Sequence, residues 1–239
     1  LEAAEDYPNA DSLDGLDIAL HQAPSQHLLP DNVHFRYLDM QEEIPTEFVG
    51  RYDLVHARFL LGLVKSNDPI PLLQNLMKLL SKSQHLSQPI PERSKPNQTN
   101  LTEPNGYLQW NEVDWGSDIY IGLEETNTSL EASGLHKLRQ SGKAFLGPVN
   151  WPQRMPEITE SQGLQDVVVE KRTKEDYSRR YASFWTEAIV AAGIDTVSKI
   201  PEGEMRDRVA GLVDEAAEDA RKGIAWCGDH FVVVGRKSE

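Results

Sequence analysis

Cysteine is almost missing from this 239-residue chain. Cys227 stands alone, so an internal disulfide framework is excluded and a reducing compartment, cytoplasm or nucleus, is the expected setting. No hydrophobic run approaches the roughly 18 residues that a membrane-spanning helix needs, so a membrane partner is not expected. Basic residues are in short supply, with 24 Lys and Arg against 38 Asp and Glu and a net charge of −14. Nucleic acid is bound by clustered Lys and Arg on one face, so this balance argues against it as a main partner. Metal-ligand spacing is also missing: His21 and His27 lie six apart with no nearby cysteine, and His136 and His230 are isolated. There is no Gly-x-Ser-x-Gly elbow and no Walker loop. No signal-peptide pattern is visible, so the sequons at Asn97, Asn100 and Asn127 read as chance.

What is present is a strand–helix alternation. Short apolar strands are predicted at Leu13–Ile18, Val33–Leu38 and Tyr52–Ala57, with a turn or weak helix over 23–29. A helix over Pro69–Leu80 carries Leu72, Leu73, Leu76, Leu79 and Leu80 on one stripe. An aromatic strand follows at Tyr107–Val113, and further strands are predicted at Leu164–Glu170 and His230–Gly235. Strands alternating with helices of this length imply a parallel sheet with helices on both faces, an α/β fold. Thr173 is expected to cap a helix whose Tyr177, Tyr181, Phe184, Trp185, Ala188 and Ile189 form a core stripe, followed by a helix over Glu202–Lys222 ending at Gly223. The polar stretch 81–102 carries Pro89, Pro91 and Pro96 and no apolar period; it reads as a disordered insertion, an annotation artefact or a substrate lid. One domain with this excursion accounts for residues 1–239. The chain opens with Leu1 inside a helical pattern, and upstream sequence is expected to be missing.

Three patterns in order carry a resemblance. They are Leu13-Asp-Gly-Leu-Asp17, then Val33 to Asp39-Met40, then Arg51-Tyr-Asp-Leu-Val-His56-Ala-Arg58-Phe-Leu running on to Pro104-Asn-Gly-Tyr-Leu-Gln-Trp-Asn-Glu112-Val-Asp114. The chain resembles class I S-adenosylmethionine-dependent methyltransferases of the fungal secondary-metabolism type over about nine-tenths of its length. The resemblance implies a Rossmann-like sheet and S-adenosyl-L-methionine as cofactor. Asp17, chosen over Asp14 because it sits at the strand end, would bind the ribose hydroxyls; Asp39 would take the adenine amino group and Met40 would cover the ring; His56 would lie at the cofactor mouth. Two departures stand out. The family's central first strand and its glycine-rich loop precede the position of Leu1, and Pro-Asn-Gly replaces Pro-Gly-Gly at 104–106.

Methyl transfer from a sulfonium is an in-line displacement that depends mainly on positioning, so no shared catalytic residue is required. His56 is either a general base or a strand-end histidine bonded to backbone. Glu112 and Asp114 either set negative potential beside the sulfur or face solvent. Trp110 either stacks on the acceptor or packs in the core. Helices over 115–161, with Trp115 and Trp151, are expected to form a lid over an apolar small-molecule acceptor. The sequence expectation is therefore a methyltransferase acting on a secondary metabolite, with a non-catalytic relative or partner protein of the same fold as the alternative. It leaves the oligomeric state open.

Overall fold

The computed structural model describes residue 7 and residues 9–81, 106–173 and 178–238. The chain divides into two compact units where the sequence reading has one domain. The first is Leu1–Asn111 with Met155–Glu170 and Val233–Glu239, and the second is Glu112–Arg154 with Lys171–Val232.

In the first unit, β1 (Leu13–Asp17) and β2 (Val33–Tyr37) pair in parallel, with Gly15 opposite Phe35 and Asp17 opposite Tyr37. A four-stranded sheet has the order β3 (Leu54–Arg58), β4 (Tyr107–Val113), β8 (His230–Lys237), β6 (Leu164–Arg172), and β3 runs parallel to β4. Among the described residues the two sheets are not hydrogen-bonded to each other. Alternation explains the β3 side chains: Val55 and Ala57 are buried, while His56 and Arg58 project to the exposed side.

Helix α1 (Ile70–Leu79) forms where the leucine stripe predicts it, and Leu72, Leu73, Leu76 and Leu79 are all buried. Asp68 Oδ1 accepts the Ile70 N–H at 3.0 Å, which fixes the entry. At the other end Lys237 Nζ donates to the Met77 and Leu80 carbonyls at 3.0 and 2.9 Å, satisfying acceptors that a helix terminus leaves unpaired. Gly106 follows at a crowded junction: an added Cβ would lie 3.0 Å from the Tyr52 carbonyl oxygen and 3.1 Å from Ser81 N. The Pro-Asn-Gly turn thus keeps its last glycine for close backbone approach. Of the expected insertion only Ser81 is described, and it is buried, donating through Oγ to Asp53 at 2.7 Å; the remainder, 82–102, lies outside the described residues.

The second unit holds α2 (Gly134–Leu146), α4 (Arg179–Lys199) and α5 (Glu204–Lys222) with an antiparallel pair, β5 (Ile119–Ile121) and β7 (Ala225–Cys227). Helix α3 (Met155–Ser161) belongs to the first unit. The expected cap moves: Ser178, not Thr173, caps α4, its side chain accepting from Tyr181 N at 3.2 Å. Tyr177 lies outside the described residues. The α4 stripe is core only in part, since Trp185 is buried but Phe184 is 54% exposed. Helix α5 ends at Gly223, whose φ of 92° supplies the left-handed cap.

Candidate functional site

Two parallel strands end together in the first unit. The β1–β2 register sets Asp17 opposite Tyr37, so Asp39 follows β2 two residues past the point where Asp17 closes β1. Leu38 N donates to the Asp17 carbonyl at 3.2 Å and ties the two ends. Both aspartates are held by the same local device. Asp17 Oδ1 accepts Ala19 N–H and Asp39 Oδ1 accepts Gln41 N–H, each at 2.8 Å, an Asx turn that fixes the carboxylate. Asp17 is exposed, and Asp39 and Met40 are half-buried. The carboxyl ends of adjacent parallel strands are where ligands bind in open α/β sheets.

Asp14, three residues earlier in the same strand, has another task. Its carboxylate is fully buried and accepts from Tyr52 Oη at 2.8 Å, with Arg36 Nε at 3.2 Å and Arg51 Nε at 3.5 Å. Burial pushes its pKa up, but the hydrogen bonds from Tyr52 and Ser12 and the two arginine charges outweigh that and hold it below the ordinary value. The same burial and the facing carboxylate push the Tyr52 phenol up.

His56 and Arg58 lie on the exposed side of β3. Loss of hydration beside the neighbouring strand, then the positive charge of Arg58, push the His56 pKa down to about 4. At neutral pH the ring is therefore uncharged. A base with so low a pKa accepts a proton weakly, which limits His56 in general-base work.

The other sequence candidates are placed differently. Trp110 is buried in the first unit at 1% exposure and Trp151 in the second at 2%; neither ring is open to an acceptor, and both are core residues instead. Trp115 is committed to Arg139, whose guanidinium lies 3.7 Å from its ring centroid and 4.0 Å from that of Trp226. The expected lid over 115–161 contains strand β5 as well as helices. Glu112 is fully buried, its Oε1 accepting Val113 N–H at 3.1 Å. Asp114 is buried and accepts from Gly116 N and Gln153 Nε2, both at 2.9 Å, so it does not face solvent.

Sequence reasoning missed the Arg139 centre of the second unit. Asp118 accepts from Arg139 Nη2 and Trp226 Nε1, each at 3.1 Å, and pairs with Lys143. The wide spacing of 115, 118, 139 and 226 left no local signal. Among the described residues no group of His, Cys, Asp and Glu could hold a metal ion, and no helix is long and apolar enough to cross a membrane.

No protein-family profile matches the chain. The chain is 29% identical over 233 residues to methyltransferase grgD of a Penicillium species, covering 94% of this chain and 71% of that protein. Solved structures that align with it include a protein assigned as a sarcosine dimethylglycine methyltransferase from Galdieria sulphuraria, at 16% identity and TM-score 0.45, covering 95% of this chain and 70% of that one. Another is the plantazolicin methyltransferase BpumL, solved with a monoazolic desmethylPZN analogue and SAH, at 13% identity and TM-score 0.43, covering 98% of this chain and 70% of that one. The chain is thus similar to methyltransferase grgD along nearly its whole length, on an α/β fold in which two parallel strands end beside a pair of aspartates.

Proposed function

We propose that the chain transfers a methyl group from S-adenosylmethionine to a small organic acceptor of secondary metabolism. The carrying observation is the pair of strand-end aspartates. Asp17 and Asp39 each spend one oxygen on a backbone N–H two residues on, which orients the other. Two fixed acceptors on neighbouring strands suit a ligand rich in donors: the ribose hydroxyls for Asp17 and the adenine amino group for Asp39, with the Met40 side chain against the base. The bound sulfonium supplies the methyl electrophile.

The protein's own contribution is positioning, which can lower such a barrier by up to about 7–11 kcal/mol. A neutral His56 at the end of β3 can accept a hydrogen bond from an acceptor hydroxyl without adding a charge that would repel the sulfonium. The relative from Penicillium supports methyl transfer, and the lone buried Cys227 fits work in the cytoplasm or nucleus.

Calorimetric titration with S-adenosylhomocysteine tests the reading. Asp17→Asn and Asp39→Asn should each weaken binding about tenfold, since a hydrogen bond to a charged group is worth roughly 1.5–3 kcal/mol. Binding of a nicotinamide dinucleotide in place of S-adenosylhomocysteine, or no loss in either variant, would overturn it.

A further inference from the structure

On the face of β3 and β4 that carries Leu54 and Tyr107 at its start, the residues turn polar toward the carboxyl ends of the strands. Register pairs His56 with Gln109 and Arg58 with Asn111. Registered residues of parallel strands share a face, so these four side chains stand together near the carboxyl ends of the two strands. Val55, Ala57, Leu108 and Trp110 occupy the other face and are buried. A parallel strand is ordinarily apolar on both faces, and this pair is not.

Arg58 is the member that needs an account. The other described arginines of the first unit have acids: Arg36 and Arg51 meet Asp14, and Arg236 meets Asp166 at 2.8 Å. Arg58 has no ion pair among the described residues, in a chain with 38 acidic residues. An exposed arginine left to water needs no further explanation, but this one is held. Its guanidinium carbon lies 4.7 Å from the centroid of the Phe59 ring. Phe59 in turn has φ 56°, a region that costs a bulky residue about 1–3 kcal/mol and persists only where the surroundings fix it. Here Phe59 N donates to the Asn111 carbonyl at 3.1 Å. Strain directly after a strand's carboxyl end thus presents a planar cation whose hydrogen-bonding edge meets no acid among the described residues.

We propose that Arg58, with His56, Gln109 and Asn111 beside it, takes a carboxylate of the bound small molecule. The guanidinium fork matches the two carboxylate oxygens, and the flanking Gln109 amide can donate to the same group. The net charge of −14 makes such a local cation necessary for an acidic ligand. The carboxylate belongs either to the methyl acceptor or to the amino-acid end of the cofactor, and the chemistry at Arg58 is the same. The inference rests on the methyltransferase reading above.

The test titrates the full chain, as wild type, Arg58→Gln and Arg58→Lys, with two pairs of probes. S-adenosylhomocysteine and methylthioadenosine differ by the amino-acid carboxylate; cinnamate and cinnamamide, added with methylthioadenosine present, differ by a carboxylate against a neutral amide. If the acceptor carries the group, wild type prefers cinnamate about tenfold and Arg58→Gln erases that preference. If the cofactor carries it, Arg58→Gln weakens S-adenosylhomocysteine about tenfold and leaves methylthioadenosine unchanged. Arg58→Lys, keeping charge without the fork, retains part of either preference. Phe59→Gly, which accepts the same φ but removes the ring under the guanidinium, should lower the same preference and serves if Arg58→Gln does not fold. Unchanged ratios for both pairs would overturn the assignment. Failure of wild type to bind methylthioadenosine would instead defeat the adenosine site, with the cinnamate pair still deciding on Arg58.

Discussion

Replacing Asp118 with Asn should destabilise the protein by about 3 kcal/mol. The side chain of Arg139 is fully buried between Trp115 and Trp226, and Asp118 is the acid that faces it. The same carboxylate accepts from Trp226 Nε1 at 3.1 Å and pairs with Lys143. Removing one partner of a buried pair costs roughly 3–5 kcal/mol, because the other charge stays out of water. The low end applies because an asparagine oxygen can still accept one of the donors. Burial pushes the Asp118 pKa up, but Lys143 and Arg139 more than offset this and hold it below its ordinary value. A depressed carboxylate pKa contributes stability that is present above the unfolded value, about 3.9, and lost as pH falls through the folded one. The difference between wild type and Asp118→Asn should therefore be constant from neutral pH to about pH 5 and shrink below about pH 4. Guanidinium unfolding followed by tryptophan fluorescence reads it, since two of the rings stack on the cation. A difference under about 1 kcal/mol at neutral pH, the worth of an exposed ion pair, would refute the argument that Arg139 depends on Asp118.

Gly106→Ala forces a methyl to within 3.0 Å of the Tyr52 carbonyl oxygen and 3.1 Å of Leu80 Cβ, and thermal unfolding should show a loss of about 1–3 kcal/mol. Ser178→Ala removes the α4 cap at Tyr181 N and should cost about 1 kcal/mol in denaturant unfolding. The His56 ring should titrate by NMR near its depressed pKa of about 4, and Arg58→Gln should move the midpoint up. Because that pKa lies below the free value of about 6.5, the associated stability is present above pH 6.5 and is lost as pH falls toward the folded value.

The first unit was largely legible in the sequence because its elements carry strong periods. The leucine stripe of α1, the aromatic strand Tyr107–Val113 and the alternation in β3 appear within a residue or two of their expected bounds. Much of the second unit was not legible. Strands β5 and β7 are three residues each, too short to show a period of two, and they pair over a separation of about a hundred residues. Helix α4 has apolar residues on more than one side, so reading Tyr181, Phe184 and Trp185 as a single buried stripe overstates its core: Phe184 is exposed. The tryptophans misled for a related reason. A strand-end or loop tryptophan fits a ligand platform as well as a core, and only tertiary burial separates the two; Trp110 and Trp151 went inward and Trp115 stacked on an arginine 24 positions away.

The choice between Asp14 and Asp17 shows how partners, not motifs, decide a carboxylate's work. Both lie in β1, an odd number of residues apart, so the pleat sends them to opposite faces. On one face Asp14 meets Arg36, Arg51 and Tyr52 and is fully enclosed; its acceptor capacity is consumed in joining β1 to the segment before β3. On the other, Asp17 accepts from the backbone of Ala19 and is exposed at the strand end. A shift of β1 by one residue would send each carboxylate to the opposite face, leaving two arginines without their counterion and turning Asp17 away from the side it shares with Asp39. The ion cluster around Asp14 therefore fixes the register of β1, and through the register it fixes Asp17 beside Asp39. Neutralising Asp14 should loosen ligand binding at Asp17 although Asp14 touches no ligand.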